Sequence, residues 1–457
     1  MMNIFASRAY LSDGWSNDVR LTLDGTEITA IASNATPQTG DTRVDTLLPA
    51  LSNLHSHSFQ RAMAGMTEFR EKGRESFWTW RTLMYAFLDH LTPDHISAIA
   101  ALAFMEMQKA GYAAVGEFHY IHNAAGGTKY DDPAELSSRI IKAAQDTGIG
   151  LTHLPVLYSY GDIGGKPLAG GQLRFGNSVD EFAALVDRCK TLVRDMPNDT
   201  AVGIAPHSLR ATTPADLAQI LGQTPDGPIH IHIAEQTAEV DAVQATLGAR
   251  PVEWLLDHAD VNDRWCLIHA THMSDAETTA MAHSGAVAGL CPVTEANLGD
   301  GIFNGKSYLN AGGAFGVGTD SNVNISLTEE LRLFEYSQRL HHRARNVLAP
   351  EGGSTGTTLY TQAAKGGAQA LARNNGEIAV GKLADLVAIN SNDQRLCALP
   401  PSQLFDGLVF GANDSVVTDV WSAGRHNVQK GRHIQEDAIL ERYRHAIKDL
   451  TSRIRDV

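Results

Sequence analysis

The sequence predicts an α/β protein in which eight parallel strands close into a TIM-like (β/α)8 barrel, beside a small β-sandwich-like domain formed from both chain ends. Two observations support this prediction. Short apolar runs alternate with helical stretches through the middle of the chain, and strand-like segments rich in turn residues flank them on both sides. The chain has 457 residues, 43% of them hydrophobic, which is enough to bury a core of this size.

The predicted barrel strands are eight runs that begin apolar and end polar. In chain order they read DTLLPALSNLHSH, GYAAVGEFHY, GIGLTHLPVLYS, AVGIAPHS, GPIHIHIAE, RWCLIHATH, GAVAGLCP and AFGVGTDS. Strands that alternate with helices form parallel βα units, and eight such units favour a closed barrel over an open sheet. The polar ends place the reactive side chains at the C-terminal mouth, where barrel enzymes keep their active sites.

The two ends of the chain have a different pattern. Residues 1–48 contain the alternating stretch VRLTLDGTEITAIAS, which predicts a hairpin or meander. Residues 371–433 contain EIAVGKLADLVAIN and SVVTDVWSAGRHNVQKGRH, which are again strand-like and have Gly-centred turns. We therefore predict one small β-domain built from these two segments, a barrel over residues 49–370 and a terminal helix over residues 434–457.

The charge and composition of the chain argue against several classes of binding partner and cellular environment. A formal net charge of −15 argues against nucleic acid or an anionic membrane as the main partner. The four cysteines have no C-x-x-C spacing, which fits a reducing cytoplasm better than a disulfide framework. No apolar run approaches the length of a membrane span, and the N-terminus has no signal-peptide pattern. We expect a cytoplasmic protein that acts on a small molecule.

Histidines and one aspartate close several of the predicted strands. His55 and His57 end the first run, and side chains at i and i+2 of a strand point to the same face, so both imidazoles can share one ion. Taken alone, H-x-H is a weak signal in a chain with 19 histidines. His232, His269 and Asp320 each close a further run, and a barrel would bring all of them to one mouth. Neutral imidazoles with one carboxylate suit a single borderline divalent metal such as zinc.

Alternatives remain at three positions. His230 and His232 share a strand face, and we prefer His232 as the ligand because it lies nearer the mouth. His269 is preferred over His272 because of its place at the strand end, which leaves His272 to cap the following turn. Glu235 follows at the lip of the strand of His232, where a carboxylate orients or protonates a substrate nitrogen or else only begins the next helix.

At these residues the sequence resembles the amidohydrolase superfamily. Its signature is H-x-H on strand one, single histidines on strands five and six, and aspartate on strand eight, with a small β-domain assembled from both termini. Many members carry a carboxylated lysine on strand four that bridges two metals, but the run here is VGIAPH, without a lysine. This departure indicates the mononuclear branch, which is rich in deaminases.

Within that branch the chain resembles the formimidoylglutamate deiminase family over essentially its whole length. The stretches that carry the resemblance are SNLHSHSFQRAMAG, SFWTWR, EFHY, APHSLR and HIHIAEQ. It implies hydrolysis of N-formimidoyl-L-glutamate to N-formyl-L-glutamate and ammonia in histidine degradation, and a homodimer. By the same resemblance the metal ligands are His55, His57, His232 and Asp320, the general base is His269, and Glu235 contacts the substrate nitrogen. The implied substrate-binding residues are Gln60, Arg81, Tyr120, His207 and Arg210.

The residues themselves support part of this assignment. Tyr120, His207 and Arg210 lie just past the ends of predicted strands, and Arg81 lies in an aromatic-rich segment after the first one. Two arginines can hold two carboxylates bidentately, as a glutamate moiety requires, although each is also consistent with a salt-bridged surface residue. The expected mechanism uses a metal-activated water, with His269 as base, Glu235 against the protonated amidine and Asp320 returning a proton to the leaving nitrogen.

Three other functions fit parts of this pattern. A deaminase of guanine or a related heteroaromatic ring would need aromatic or amide groups to read the ring in place of two arginines. An amidohydrolase that cleaves a carboxylated amide shares the arginine argument, and ammonia release would separate it from a deiminase. A non-enzymatic scaffold on this fold would be expected to have lost ligands, whereas every candidate ligand is present here.

Overall fold

The computed structural model describes residues 1–68, 77–224 and 226–455, except for the side chains of residues 77–82 and 455. Within these ranges the strands are β1 (Met2–Leu11), β2 (Gly14–Asp24), β3 (Glu27–Ala32), β4 (Thr42–Pro49), β5 (Leu51–Ser56), β6 (Tyr112–His119), β7 (Gly150–Leu157), β8 (Ala201–Val202), β9 (Ala205–Pro206), β10 (Ile229–Ile233), β11 (Trp265–His269), β12 (Val287–Leu290), β13 (Ala314–Val317), β14 (Leu386–Ile389), β15 (Val417–Ser422), β16 (Arg425–Gln429) and β17 (Arg432–His433).

The α-helices follow the strands in alternation through the middle of the chain. They are α1 (Phe77–Leu88), α2 (Pro93–Lys109), α3 (Glu135–Thr147), α4 (Val179–Leu192), α5 (Pro214–Gln223), α6 (Thr237–Leu247), α7 (Pro251–His258), α8 (Asp275–Ser284), α9 (Pro292–Leu298), α10 (Gly305–Asn310), α11 (Leu327–His342), α12 (Thr355–Ala370), α13 (Leu404–Asp406) and α14 (Glu436–Arg455). Short 3-10 helices cover Ser58–Met63, Ala125–Gly127, Gly170–Arg174, Pro401–Gln403 and Asp414–Val416, and a π-helix covers Gly407–Gly411. Among the described helices, none is long and apolar enough to cross a membrane.

Strands β5 to β13 occupy the eight predicted runs and pair in parallel. Two further bridges close the ring: Ile204 pairs with Ile229 between the fourth and fifth positions, and Ser56 pairs with Asp320 between the first and eighth. Every residue of β5, β6 and β7 is buried, as expected for strands covered by helices on the outside and by side chains inside. The predicted (β/α)8 barrel is confirmed.

The fourth barrel position is split into β8 and β9. A Cβ atom on Gly203, between them, would lie 2.5 Å from the carbonyl oxygen of Pro228, so only glycine fits there. The amide of Ile204 donates to that same Pro228 oxygen at 3.0 Å. The close approach of the neighbouring strand therefore interrupts the regular ladder.

The chain ends form one eight-stranded sheet in the order β17-β16-β15-β14-β4-β1-β2-β3. Strands β4 and β14 pair antiparallel at its centre and join the N-terminal half to the C-terminal half. A separate apolar cluster fills this sheet, with Ile4, Leu21 and Trp421 fully buried in it. The small domain assembled from both termini is thus present, while the domain boundaries given above stay predictions.

Candidate metal and substrate site

Four predicted ligands meet at the C-terminal mouth of the barrel. The Nε2 atom of His55 lies 3.1 Å from Nε2 of His232, and 3.5 Å from Oδ1 of Asp320. Nε2 of His57 lies 3.3 Å from the same Asp320 oxygen. All four residues are buried, so the strand ends of β5 and β10 and the segment after β13 bring one cluster of nitrogen and oxygen donors together.

The cluster is electrostatically suited to a cation. Burial lowers the pKa of His55 to about 3 and also lowers the pKa values of His57 and His232, so these imidazoles are neutral and have lone pairs to offer. Nδ1 of His57 donates to the carbonyl oxygen of Phe118 at 2.9 Å, which leaves Nε2 as the acceptor. Burial alone raises the pKa of Asp320, but its hydrogen bond with His55 and the neighbouring imidazoles hold that pKa well below the usual range.

The backbone turns sharply where it presents these groups. His269 and Asp320 have φ values of 68° and 43°, and Ala234, just after His232, has 51°. These are left-handed conformations that L-residues adopt at a cost of about 1–3 kcal/mol and that cluster at functional sites. The backbone thus departs from the extended strand conformation at His269 and Asp320, where the chain reaches the mouth.

His269 lies beside the cluster. Its Nε2 is 3.7 Å from Oδ2 of Asp320 and 3.9 Å from Oε1 of Glu235, and its ring stacks on that of His232 with centroids 5.6 Å apart. Burial by itself lowers the pKa of His269, but the carboxylates of Glu235, Glu295 and Asp320 more than offset this and raise it to about 10. The arrangement suits a group that exchanges protons next to a metal.

The two alternative histidines point elsewhere. Nε2 of His230 donates to the carbonyl oxygen of Ala370 at 2.7 Å, and Nε2 of His272 donates to that of Asp300 at 2.8 Å. The His272 ring therefore bonds to the segment after α9, 28 residues further along the chain, and does not cap the turn that directly follows β11 as expected. Neither imidazole reaches the cluster.

Arg210 and Glu235 face each other across the mouth. Their closest nitrogen and oxygen are 3.8 Å apart, and Arg210 Nε is 4.0 Å from Glu239, both beyond hydrogen-bonding distance. The Arg210 side chain is only 12% exposed, and its Nε has no hydrogen-bond partner within the described parts of the chain. A buried guanidinium with unused donors has the chemistry needed to pair with a carboxylate.

A cavity at the barrel mouth is lined by members of the ligand cluster and by Arg210, and the other predicted substrate residues with described side chains also line it. Nε2 of Gln60 donates to the Tyr120 hydroxyl at 2.7 Å, and both side chains are buried. The His207 ring packs between Tyr158 and His232, with centroids 4.6 and 4.9 Å away. Arg81 belongs to α1, but its side chain lies outside the described residues.

Comparison with known proteins places the chain in a family. Residues 46–426 match the model of the amidohydrolase family, and residues 1–45 match the N-terminal domain of formimidoylglutamate deiminase HutF. Formimidoylglutamate deiminase of Pseudomonas aeruginosa is 47% identical over 96% of this chain and 97% of its own. The chain belongs to the amidohydrolase family, among its formimidoylglutamate deiminases. The resemblance drawn from the sequence motifs is confirmed.

Other proteins are also similar to this amidohydrolase in sequence or in fold. The 5-methylthioadenosine/S-adenosylhomocysteine deaminase of Natronomonas pharaonis is 26% identical over 90% of this chain and 86% of its own. An amidohydrolase crystal structure from Brucella melitensis superposes with a TM-score of 0.95 at 45% identity, covering 99% of this chain and 100% of that one. An adenosine deaminase from Xanthomonas campestris with bound zinc has a TM-score of 0.82 at 23% identity, over 100% and 99% of the chains, which is a likeness of fold.

Several cavity residues were not predicted from the sequence. The additional lining residues are Met84, Tyr158, Phe175, Thr294, Leu298 and Ser321. Tyr158 and Ser321 follow β7 and β13 closely, so the strand-end rule that located the ligands would also have found them. Phe175 comes from the long β7–α4 connection and carries no such signal in the sequence.

Proposed function

We propose that this amidohydrolase hydrolyses N-formimidoyl-L-glutamate to N-formyl-L-glutamate and ammonia, a step of histidine degradation, with a single divalent metal at the histidine cluster. The observation that carries the proposal is the 47% identity to a formimidoylglutamate deiminase over 96% of the chain. The site adds a chemical reason, because it combines a metal-ligating cluster, a proton acceptor and a buried cation for a carboxylate.

The residues fit one metal ion. Ligand atoms of His55, His57 and His232 all lie within 4.8 Å of one another, and Asp320 adds a carboxylate oxygen beside them. Nitrogen donors with one oxygen favour zinc among the common divalent ions. When bound there, such an ion lowers the pKa of a coordinated water toward neutrality.

The remaining steps belong to the side chains around the cluster. His269 Nε2 accepts a proton from the attacking water; an ion held by the neighbouring histidines would oppose the raised pKa noted above and would favour the neutral imidazole that can act as a base. Glu235 pairs with the protonated amidine, which is electron-poor at its carbon and open to attack. Asp320, 3.7 Å from His269, passes a proton to the departing nitrogen. Amidinium and water then yield the formyl amide and ammonium.

The glutamate moiety of the substrate is proposed to bind side chains around the barrel mouth. Arg210 offers unused donors to one carboxylate in a setting where an unpaired carboxylate would be strongly disfavoured. Arg81 is proposed as the partner of the second carboxylate, from the resemblance. Gln60, Tyr120 and His207 are proposed to contact the substrate within the cavity that they line.

Two broader properties are also part of the proposal. A cytoplasmic location is supported by four cysteines that are all unpaired. A homodimer rests on the resemblance and is tested by sedimentation velocity.

A substrate panel tests the function. We expect ammonia release from N-formimidoyl-L-glutamate, with kcat/KM at least about 100-fold above that for guanine and adenosine, since a purine leaves the buried polar groups of this site unpaired. N-formyl-L-glutamate should release no ammonia, because its hydrolysis gives formate and glutamate. Faster ammonia release from a purine would instead support the heteroaromatic deaminase.

A further inference from the structure

Glu295 lies on the opposite side of the His269 ring from the ligand cluster. Oε1 of Glu295 is 3.2 Å from Nδ1 of His269, while Nε2 of that ring faces Asp320. Glu295 is in the first turn of α9 and is only 5% exposed. A buried carboxylate therefore contacts the proposed base from behind.

We propose that Glu295 is a positioning residue for the hydrolysis. It holds the His269 ring in the tautomer that carries its proton on Nδ1, so that Nε2 has a free lone pair directed at the attacking water. This inference rests on the proposed function, in which His269 is the base.

The tautomer follows from the hydrogen bonds to Glu295. The backbone amide of Cys291 donates to the same Oε1 at 2.9 Å, and the Glu295 amide donates back to the Cys291 carbonyl oxygen at 2.9 Å. The start of α9 thus fixes the carboxylate in place. A carboxylate only accepts hydrogen bonds, so Nδ1 of His269 donates to Glu295, and in the neutral form of the ring, in which it acts as a base, the lone pair is then on Nε2.

The backbone conformation at His269 explains why its ring needs the contact with Glu295. His269 and Ala270 both adopt left-handed conformations, with φ of 68° and 49°, where β11 ends. His269 is the last residue of β11 and pairs with Ile233 of β10, so the strand ladder does not continue past it to support the ring. A rotation of the ring about its Cβ–Cγ bond would exchange the positions of its nitrogen and carbon atoms, and the bond to Glu295 opposes that rotation.

The alternative role for these side chains is coordination of a second metal ion. Ligand atoms of His269, Cys291 and Glu295 lie within 4.8 Å of one another. Oε1 of Glu295, however, already accepts two hydrogen bonds, one from Nδ1 of His269 and one from the backbone amide of Cys291. A metal ion at this oxygen would have to compete with both donors. The contacts therefore favour positioning over coordination.

The test is a double-mutant cycle between Glu295→Gln and His269→Asn, with ammonia release from N-formimidoyl-L-glutamate as the assay. We expect Glu295→Gln alone to lower kcat by about 10- to 100-fold, as loss of a partner behind a functional histidine does, with KM and metal content nearly unchanged. In the His269→Asn background the same substitution should change kcat by less than about twofold, because Glu295 acts through His269. Equal losses in both backgrounds would overturn the proposal, since they would indicate a merely structural role.

Two controls separate positioning from structural damage and from metal coordination. Glu330 on α11 is fully buried and accepts a hydrogen bond from the backbone amide of Val293 on α9 at 2.9 Å. Glu330→Gln therefore tests the loss of another buried carboxyl group beside α9, and it should keep near-normal kcat. Metal lost from Glu295→Gln, by elemental analysis, would overturn positioning in favour of coordination. If Glu295→Gln does not fold, Glu295→Asp enters the same cycle with the same criterion. A wild-type protein without activity on this substrate would instead refute the proposed function.

Discussion

Replacing Arg210 with methionine removes one cation from the described lining of the substrate cavity and leaves an uncharged side chain of similar length. The guanidinium is 3.8 Å from Glu235 and 4.0 Å from Glu239. The two carboxylates therefore attract it at a distance but accept no hydrogen bond from it. Its side chain is 12% exposed. A substrate carboxylate bound there would be largely removed from water, where the loss of its partner is most damaging.

The expected magnitude follows from that burial. Truncating one side of a buried, hydrogen-bonded charge pair costs about 2–5 kcal/mol. At about 1.4 kcal/mol per tenfold change, Arg210→Met should lower kcat/KM for N-formimidoyl-L-glutamate by roughly 30-fold or more. Metal content should stay unchanged, because Arg210 contacts no member of the ligand cluster in the proposed assignment.

A truncated substrate separates recognition from general damage. N-formimidoylglycine lacks the side-chain carboxylate, so the wild type should turn it over poorly. The ratio of the two kcat/KM values should shrink in whichever variant, Arg210→Met or Arg81→Met, has lost the partner of that carboxylate. Arg425→Met is the matched control, since Arg425 is a partly buried arginine paired with Asp199 at 2.7 Å near the start of β8, away from the mouth. Near-normal kinetics in both cavity variants would refute the dicarboxylate assignment and favour a heteroaromatic substrate.

Three further predictions concern the metal, the base and the fold. His232→Ala and Asp320→Ala should each lose most of the bound metal and nearly all activity, and full metal occupancy in both, by elemental analysis, would mean that the ligands are wrongly assigned. His269→Asn should keep its metal but lower kcat by roughly 100-fold or more, and a metal-free preparation would make His269 a ligand instead. Asp385 accepts hydrogen bonds from Arg373 at 2.9 Å, from Asn375 at 2.7 Å and from the amide of Ala423 at 2.6 Å. Asp385→Ala should therefore lower the free energy of unfolding by about 3–5 kcal/mol, and an unchanged denaturation midpoint would contradict this.

The barrel could be predicted from the sequence because its strands are buried on both faces. Such strands are continuous apolar runs, and the helices between them supply the alternation that marks βα units. The interruption at Gly203 could not be predicted in the same way. It depends on the Pro228 carbonyl of the neighbouring strand, a contact that exists only once the barrel has closed.

The strand-end rule predicted which histidines converge, because a barrel brings the C-terminal ends of all its strands to one mouth. The choice between His230 and His232 was less secure. The structure favours His232, because Nε2 of His230 donates a hydrogen bond to the carbonyl oxygen of Ala370, 140 residues away in the chain. Glu239 and Glu295 were missed for a related reason, since each lies on a helix after its strand and reaches the site only through packing.

Product analysis tests the central claim most directly. The metal-loaded protein is incubated with N-formimidoyl-L-glutamate, and the products are quantified by proton NMR together with an ammonia assay. We predict N-formyl-L-glutamate and ammonia in equal amounts, because in the proposed mechanism water attacks the formimidoyl carbon and the terminal nitrogen leaves. Glutamate with formamide, or no turnover of this substrate at all, would contradict the account.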